Sequence, residues 1–446
     1  MRTDPSLRRH LRNEDQLGME QPSYSPAPKC IAATGEAHDS ERDACSAAEA
    51  IASRKTSTDY RSAQWSPDGT CLITSSADDT LRTFALPHDL LTSREPHILR
   101  PYAASPSPEP VCSTAVYPYY DLQNVSSTLV LSSPRNLPIR LQNALLPQAG
   151  LTASYSLISP TTEAYITPHS LAFISSGTHF VTGSDSLLAV FDVSRNGQGP
   201  IERYPTIPSK RKKAVGGGVG MKGILSCLSI SSEGTLAAGT FSRWIGLYDS
   251  EGRGSCNAVF SVAEPSEVPG NAENAGGAGV SQVLWSPCGK YLYVAERKSD
   301  VVLVYDIRVG GKRLGWLKGR KATTHQRLGI DVVQTARGHE IWGGGTDGMV
   351  RVWSNPNERE GEQEAAFEWQ AHEDPVTSTL VHPSGSVVAT TSGKGREFVD
   401  LDGQEAGGLQ DLSPETHESH QSSSPLSVPL LRDAVPVHPT LKVWAL

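Results

Sequence analysis

The sequence lacks the short residue patterns that usually announce a reaction. It has no Gly-x-Ser-x-Gly, no His-Glu-x-x-His and no Gly-x-x-x-x-Gly-Lys-Ser/Thr. The strained serine turn, the helical zinc pair and the phosphate-cradling loop built by those spacings are therefore absent. The glycine runs 216–218 and 343–345 do not replace the last of these. The first has no Lys-Ser/Thr after it, and the second opens a turn at Asp347-Gly348. Seven cysteines (Cys30, Cys45, Cys71, Cys112, Cys227, Cys256 and Cys288) include no Cys-x-x-Cys pair. That argues against a zinc site or a disulfide framework and for a reducing compartment. No apolar run approaches the roughly 18 residues of a membrane helix, and the stretch containing Arg2, Arg8, Arg9 and Arg12 has no apolar signal-peptide core. The expectation is a soluble protein, not an enzyme, with no metal, no cofactor and no membrane partner. A formal charge of −8 excludes a uniformly basic nucleic-acid binder but leaves room for a basic patch.

Glycine and proline are plentiful, at 40 and 31 residues, which suits many short strands joined by turns. From about residue 60 a frame recurs: an apolar strand, a Ser-Pro-Asp-Gly type of turn, a second strand, a polar turn and a third strand ending in an aromatic. Its clearest copy runs from Trp65 through Ser66-Pro67-Asp68-Gly69 to Phe84. Others close at Phe191, Tyr248, Tyr305, Trp353 and Trp444, and a degenerate copy from Val111 to Asn143 has Gln142 where the aromatic belongs. About seven copies, roughly 40–60 residues apart, predict an all-β, seven-bladed WD40 β-propeller. Asp78, Asp185 and Asp347 each stand six positions before a closing aromatic and are predicted to cap the turn between second and third strands. Because the chain stops two residues after Trp444, the outermost strand of the last blade must come from elsewhere. Residues 52–60 are expected to supply it and so remove the open sheet edge. The propeller is thus drawn over residues 51–446. A disordered N-terminal region over 1–50, an acidic surface segment over 354–370 and a flexible insertion over 396–439 complete the layout.

Propeller geometry turns position into a face. Turns between second and third strands share one face with the loops that lead into each blade. Arg135, Arg243, Arg297 and Lys298 fall in such turns. Gln326 and Arg327 fall in a lead-in loop, and so do Lys210, Arg211, Lys212 and Lys213, which read equally as a nuclear-import signal. Arginine binds phosphate bidentately and stacks on bases, so this face is the expected RNA-binding surface. His372, after Ala371, is expected to be a hydrogen-bonded framework residue.

Several stretches carry a family resemblance: QWSPDGTCLITSSADDTLRTFALP, SSPRNLPIR, GILSCLSISSEGTLAAGTFSRWIGLYD, ERKSDVVLVYDIR and THQRLGID, together spanning about residues 60–355. With them the chain resembles the telomerase Cajal body protein family, WD-repeat proteins that bind small Cajal body RNAs and telomerase RNA. Fungal-type relatives are associated with spliceosomal small nuclear RNA. The resemblance implies a monomeric nuclear scaffold for small nuclear or small Cajal body RNA and its ribonucleoprotein proteins, with Arg135, Arg243, Arg297, Lys298, Gln326 and Arg327 at the RNA. The chain departs from the family where Gln142-Asn143 follows the Pro-Ile signature. A protein–protein adaptor without RNA contact is the alternative, and nuclease treatment separates the two.

Overall fold

Short amphipathic strands bounded by Gly, Pro, Asp and Ser turns cannot bury both faces alone, and here they stack radially into a disc. The computed structural model describes residues 27–34, 59–207, 220–263, 276–394 and 440–446. Seven sheets form the blades. Numbered in chain order from the innermost strands, these begin at Tyr60–Trp65, Val111–Val116, Ser170–Phe173, Leu225–Ile230, Val280–Trp285, Ile330–Thr335 and Val376–Val381. Every expected repeat is a blade, including the degenerate second one, whose third strand Ile139–Asn143 ends without an aromatic.

The core is not one mass but seven seams, one between each pair of neighbouring blades. Phe180 and Phe191 of blade 3, for example, stack at 5.0 Å and pack beside Tyr155 of blade 2. Each seam also carries a side-chain bond to the backbone of the next blade. Gln64 donates to the Thr114 carbonyl at 3.0 Å, Ser133 to Pro168 at 2.8 Å, Ser170 to Leu225 at 2.8 Å and Ser226 to Val280. Gln282 both donates to and accepts from Ile330, Asp331 accepts from the Val381 amide at 2.8 Å, and Ser378 accepts from Ala63 at 3.0 Å. These bonds satisfy inner-strand groups at the channel that no neighbouring strand reaches. Trp65 and Trp285, each just before its Ser-Pro turn, donate from Nε1 to the preceding blade, at Leu380 and Ser229 respectively.

Blade 7 differs from expectation in one respect. Its closing strand is Lys29–Thr34, antiparallel to Leu441–Ala445, not residues 52–60. The reason is reach. Tyr60 already begins the innermost strand of blade 1, and crossing a blade from rim to channel covers three strand spacings, about 14 Å. That takes at least four extended residues, which a strand abutting Tyr60 does not leave. The propeller therefore extends into the region read as disordered; residues 1–26 and 35–58 lie outside the described residues, as does 395–439, where the insertion was expected. Ser392 and Thr440, on either side of that stretch, exchange backbone and side-chain bonds.

Two blades carry a fifth strand, each parallel to the outer one. His97–Leu99, from the third-to-fourth connection of blade 1, pairs with Lys29–Thr34. Gly361–Gln363, from the same connection of blade 6, pairs with the outer strand Lys312–Leu317 of blade 5. The acidic segment is thus partly a docked strand, with Lys318 at 2.6 Å from Glu362 and 2.7 Å from Glu364.

His372 is buried as the framework residue it was expected to be. Its Nδ1 meets Thr440 Oγ1 at 2.8 Å and its Nε2 meets Thr390 Oγ1 at 2.7 Å, while Trp444 Nε1 donates to the same Thr390 hydroxyl at 2.8 Å. Burial first, and then nearby Lys442, hold the ring down to about 3. The unfolded chain therefore takes up a proton near pH 6.5 that the folded one refuses, so this residue's contribution is whole above pH 6.5 and declines as pH falls. Thermal unfolding from pH 6.5 to 5 should accordingly lose less stability in His372→Gln than in the parent, by about 1 kcal/mol per pH unit. Parallel slopes would refute the assignment. At the closing strand, Ala32 is fully buried and Ala33 half-buried. Ala32→Asp should cost about 3 kcal/mol or more by burying an unpaired charge, and Ala33→Asp much less; equal melting shifts would mean that the strand does not close the ring.

Candidate nucleic-acid interface

The turns between second and third strands stay tight by holding one non-glycine residue left-handed: Asp79, Asn136, Ser186, Arg243 and Lys298, at φ between 51° and 64°. That conformation costs about 1 kcal/mol or more per residue and sets the directions of the flanking side chains. The capping aspartates fall into two kinds. Asp78 and Asp347 pair with arginines four residues on, Arg82 and Arg351, which holds both carboxyls below their ordinary range. Asp185 has Ala189 at that offset, so it remains exposed and accepts only from Ser186, at 3.0 Å.

The basic residues sort by partner. Arg243, in the turn of blade 4, is committed. Its Nε and Nη2 lie 2.7 and 3.0 Å from the two oxygens of Glu296, whose side chain is fully buried at the end of blade 5's second strand. It is a clamp across the seam between blades 4 and 5. Gln326 is also engaged, donating from Nε2 to the Gly393 carbonyl of blade 7 at 2.8 Å. Lys298 and Arg135 are exposed in the turns of blades 5 and 2. Lys210, Arg211, Lys212 and Lys213 lie outside the described residues.

Arg297 and Arg327 hold the centre. The Arg297 guanidinium sits 4.4 Å over the ring of Phe241 in blade 4, and its Nε is buried with no hydrogen-bond partner. Arg327 leaves the loop into blade 6 and donates from Nη2 to the Ser226 carbonyl of blade 4 at 2.8 Å. Blades 4 and 6 are not neighbours, so Arg327 reaches past blade 5 to make this bond. Burial, and then Arg327, hold Arg297 down to about 10; burial likewise lowers Arg327. Both remain cationic at neutral pH. Neither has a carboxylate partner among the described residues, and neither does Arg135.

Sequence reasoning missed three contributors. His169, in the lead-in loop of blade 3, is lowered first by burial and then by Arg327 and Arg135, against the opposing pull of Asp185. It precedes its inner strand much as His372 does, a signal that was readable. Cys112 of blade 2 is raised by burial, with Arg135, Arg61 and Arg327 pulling the other way. Phe241 is the platform for Arg297, and no spacing rule links positions in different blades. Cys227, pushed up to about 11 by burial, is with Cys112 a neutral thiol, so the mouth offers no thiolate nucleophile. Among the described residues no group of three or more His, Cys, Asp or Glu is placed to hold a metal, and no helix is long and apolar enough to cross a membrane. A cavity of about 380 Å³ at the rim, lined by Lys318, Arg351, Glu364 and Glu368, has its cations paired with its carboxylates.

The family profile "WD domain, G-beta repeat" matches residues 54–84. The chain is 31% identical over 305 residues to the Guanine nucleotide-binding protein negative regulator 1 of Schizosaccharomyces pombe, covering 66% of this chain and 70% of that protein. It is 28% identical over 376 residues to Telomerase Cajal body protein 1 of Homo sapiens, covering 82% of this chain and 60% of the human protein. The chain belongs to the telomerase Cajal body protein family. A more distant member of the comparison, Protein SWT21 of Kluyveromyces lactis, is 26% identical over 65% of this chain and 67% of its own length.

The Arg243–Glu296 clamp yields a direct test. Arg243→Ala leaves a fully buried carboxylate without its partner and should cost about 3–5 kcal/mol. Adding Glu296→Gln should restore much of that in denaturant unfolding; a double variant no more stable than the single one would show that the pair does not carry the seam.

Proposed function

We propose that this chain is a nuclear RNA-binding scaffold for small nuclear or small Cajal body ribonucleoproteins, with RNA held on the face that carries the channel mouth. The observation that supports this most is the set Arg135, Arg297 and Arg327: three guanidiniums on one face of a protein of net charge −8, without carboxylate partners among the described residues. Burying cationic groups without counter-charges destabilises a fold. The retention of Arg297 and Arg327, both lowered by burial, is understandable if an anionic partner completes them. The name of the human relative, Telomerase Cajal body protein 1, agrees with a ribonucleoprotein setting, and membership of that family agrees with nuclear residence and with a role in assembly without catalysis. Lys298 extends the cationic surface outward; Arg243 and Gln326 serve by holding the turns in place.

Arg135 and Lys298 are exposed and bear no seam, so they separate binding from folding. Arg135→Ala combined with Lys298→Ala should leave the melting temperature unchanged and weaken retention of cross-linked cellular RNA. It should also make the slope of log affinity against log salt shallower by about 1.5, the loss of two phosphate contacts. Unchanged affinity and slope would overturn the reading. A partner set that survives nuclease treatment intact would instead establish the adaptor alternative.

A further inference from the structure

The free cations are not laid out as a stripe along which a nucleic-acid backbone would run. They converge. Arg327 arrives from blade 6 and is fixed by Ser226 of blade 4; Arg297 arrives from blade 5 and lies on Phe241 of blade 4; Arg135 arrives from blade 2, its turn pinned by the 2.9 Å bond from its own amide to the Pro110 carbonyl. The same small region takes in His169 from blade 3 and Cys112 from blade 2, both of which feel Arg135 and Arg327 together. Arg61 of blade 1 also bears on Cys112 but is neutralised by Asp79 at 2.7 Å. Asp185, exposed in the turn of blade 3, pulls His169 the other way.

Such convergence at the mouth of a narrow channel focuses positive potential on a point. A phosphodiester brings one negative charge to that point, whereas a terminal phosphate brings up to two and a polyphosphate more. Arginine forks match phosphate oxygens two at a time, and a guanidinium already seated on an aromatic ring loses little freedom when it binds. The His169 side chain, neutral and without a hydrogen-bond partner among the described residues, adds a donor that gains a proton once an anion arrives.

We propose that the channel mouth is a seat for one phosphate group of two or more negative charges, the chemistry shared by the 5′-terminal phosphate of an RNA and by free polyphosphate. The first source rests on the reading of this face as an RNA surface; the second does not.

The test uses the full chain and two probes: inorganic tripolyphosphate, followed by calorimetry, and one short single-stranded RNA prepared with either a 5′-triphosphate or a 5′-hydroxyl. Tripolyphosphate is expected to bind, and to raise the pH at which the C2 proton resonance of His169, assigned with His169→Gln, titrates. The 5′-triphosphate RNA is expected to bind about tenfold more tightly than its 5′-hydroxyl twin, the worth of one charge-assisted pair. Arg297→Gln should abolish both the calorimetric signal and the end preference, and Arg135→Gln, at an exposed position, should reduce both without moving the melting temperature. Tripolyphosphate binding without end preference supports the seat and assigns it to free polyphosphate. No tripolyphosphate binding and no end preference overturn it, and RNA retention sensitive to Arg135→Ala and Lys298→Ala would still stand apart from that failure.

Discussion

A disc of blades has no centre of mass of hydrophobic residues to fall back on, so everything depends on the ring being closed. Six seams between consecutive blades can form locally as the chain runs forward, but the seventh joins blade 7 to blade 1 and requires residues more than three hundred positions apart. Ala63 bonding to Ser378 and Trp65 bonding to Leu380 are part of that joint, and the Tyr60, Leu72, Phe84 and Leu441 cluster fills it. Blade 7 itself is assembled from Val376–Val381, Val387–Ser392, Leu441–Ala445 and Lys29–Thr34. Were the seam open, blade 1 and blade 7 would each expose an apolar face, and the channel mouth would lose the fixed perimeter that holds arginines from different blades together.

The mouth illustrates how the same side chain is assigned opposite work by its partner. Arg243 and Arg297 sit in equivalent turns of consecutive blades, yet the first is locked to a buried glutamate and the second lies unpaired on a phenylalanine. One reinforces a seam. The other is a charge held in place against its own solvation, with the surrounding structure supplying rigidity and no counter-ion. The charges of Arg243, Arg297 and Arg327 are therefore positioned by contacts between blades.

Much of the fold was legible because a repeat announces itself many times over: turn residues, closing aromatics and aspartate offsets marked all seven blades, including the copy that ends in Gln142-Asn143. What repetition did not mark was hidden. Lys29–Thr34, with the sequence KCIAAT, is short, of mixed polarity and separated from the other strands, so only the distance from rim to channel reveals why it, and not the segment beside Tyr60, closes the ring. The fifth strands escaped because pairing parallel to an outer edge leaves no local signature. At the site, sequence position grouped the basic residues by turn and loop but could not say which arginine is paired across a seam. Glu296 reads as the polar end of a strand, and its pairing to Arg243 exists only across a seam, 53 positions away.

The closing strand also sets a timetable. Leu441–Ala445 emerges from the ribosome some four hundred positions after its partner Lys29–Thr34, a lag of roughly 20–80 s at ordinary elongation rates. Throughout that interval the strand has only His97–Leu99 to pair with, and its other edge, like the apolar flank of the first blade, has no native neighbour. The finished disc has every blade seated between two others, but each newly made copy must pass through a period in which blade 1 and the strand Lys29–Thr34 both wait for blade 7. The nascent chain therefore needs shelter for the whole of that lag.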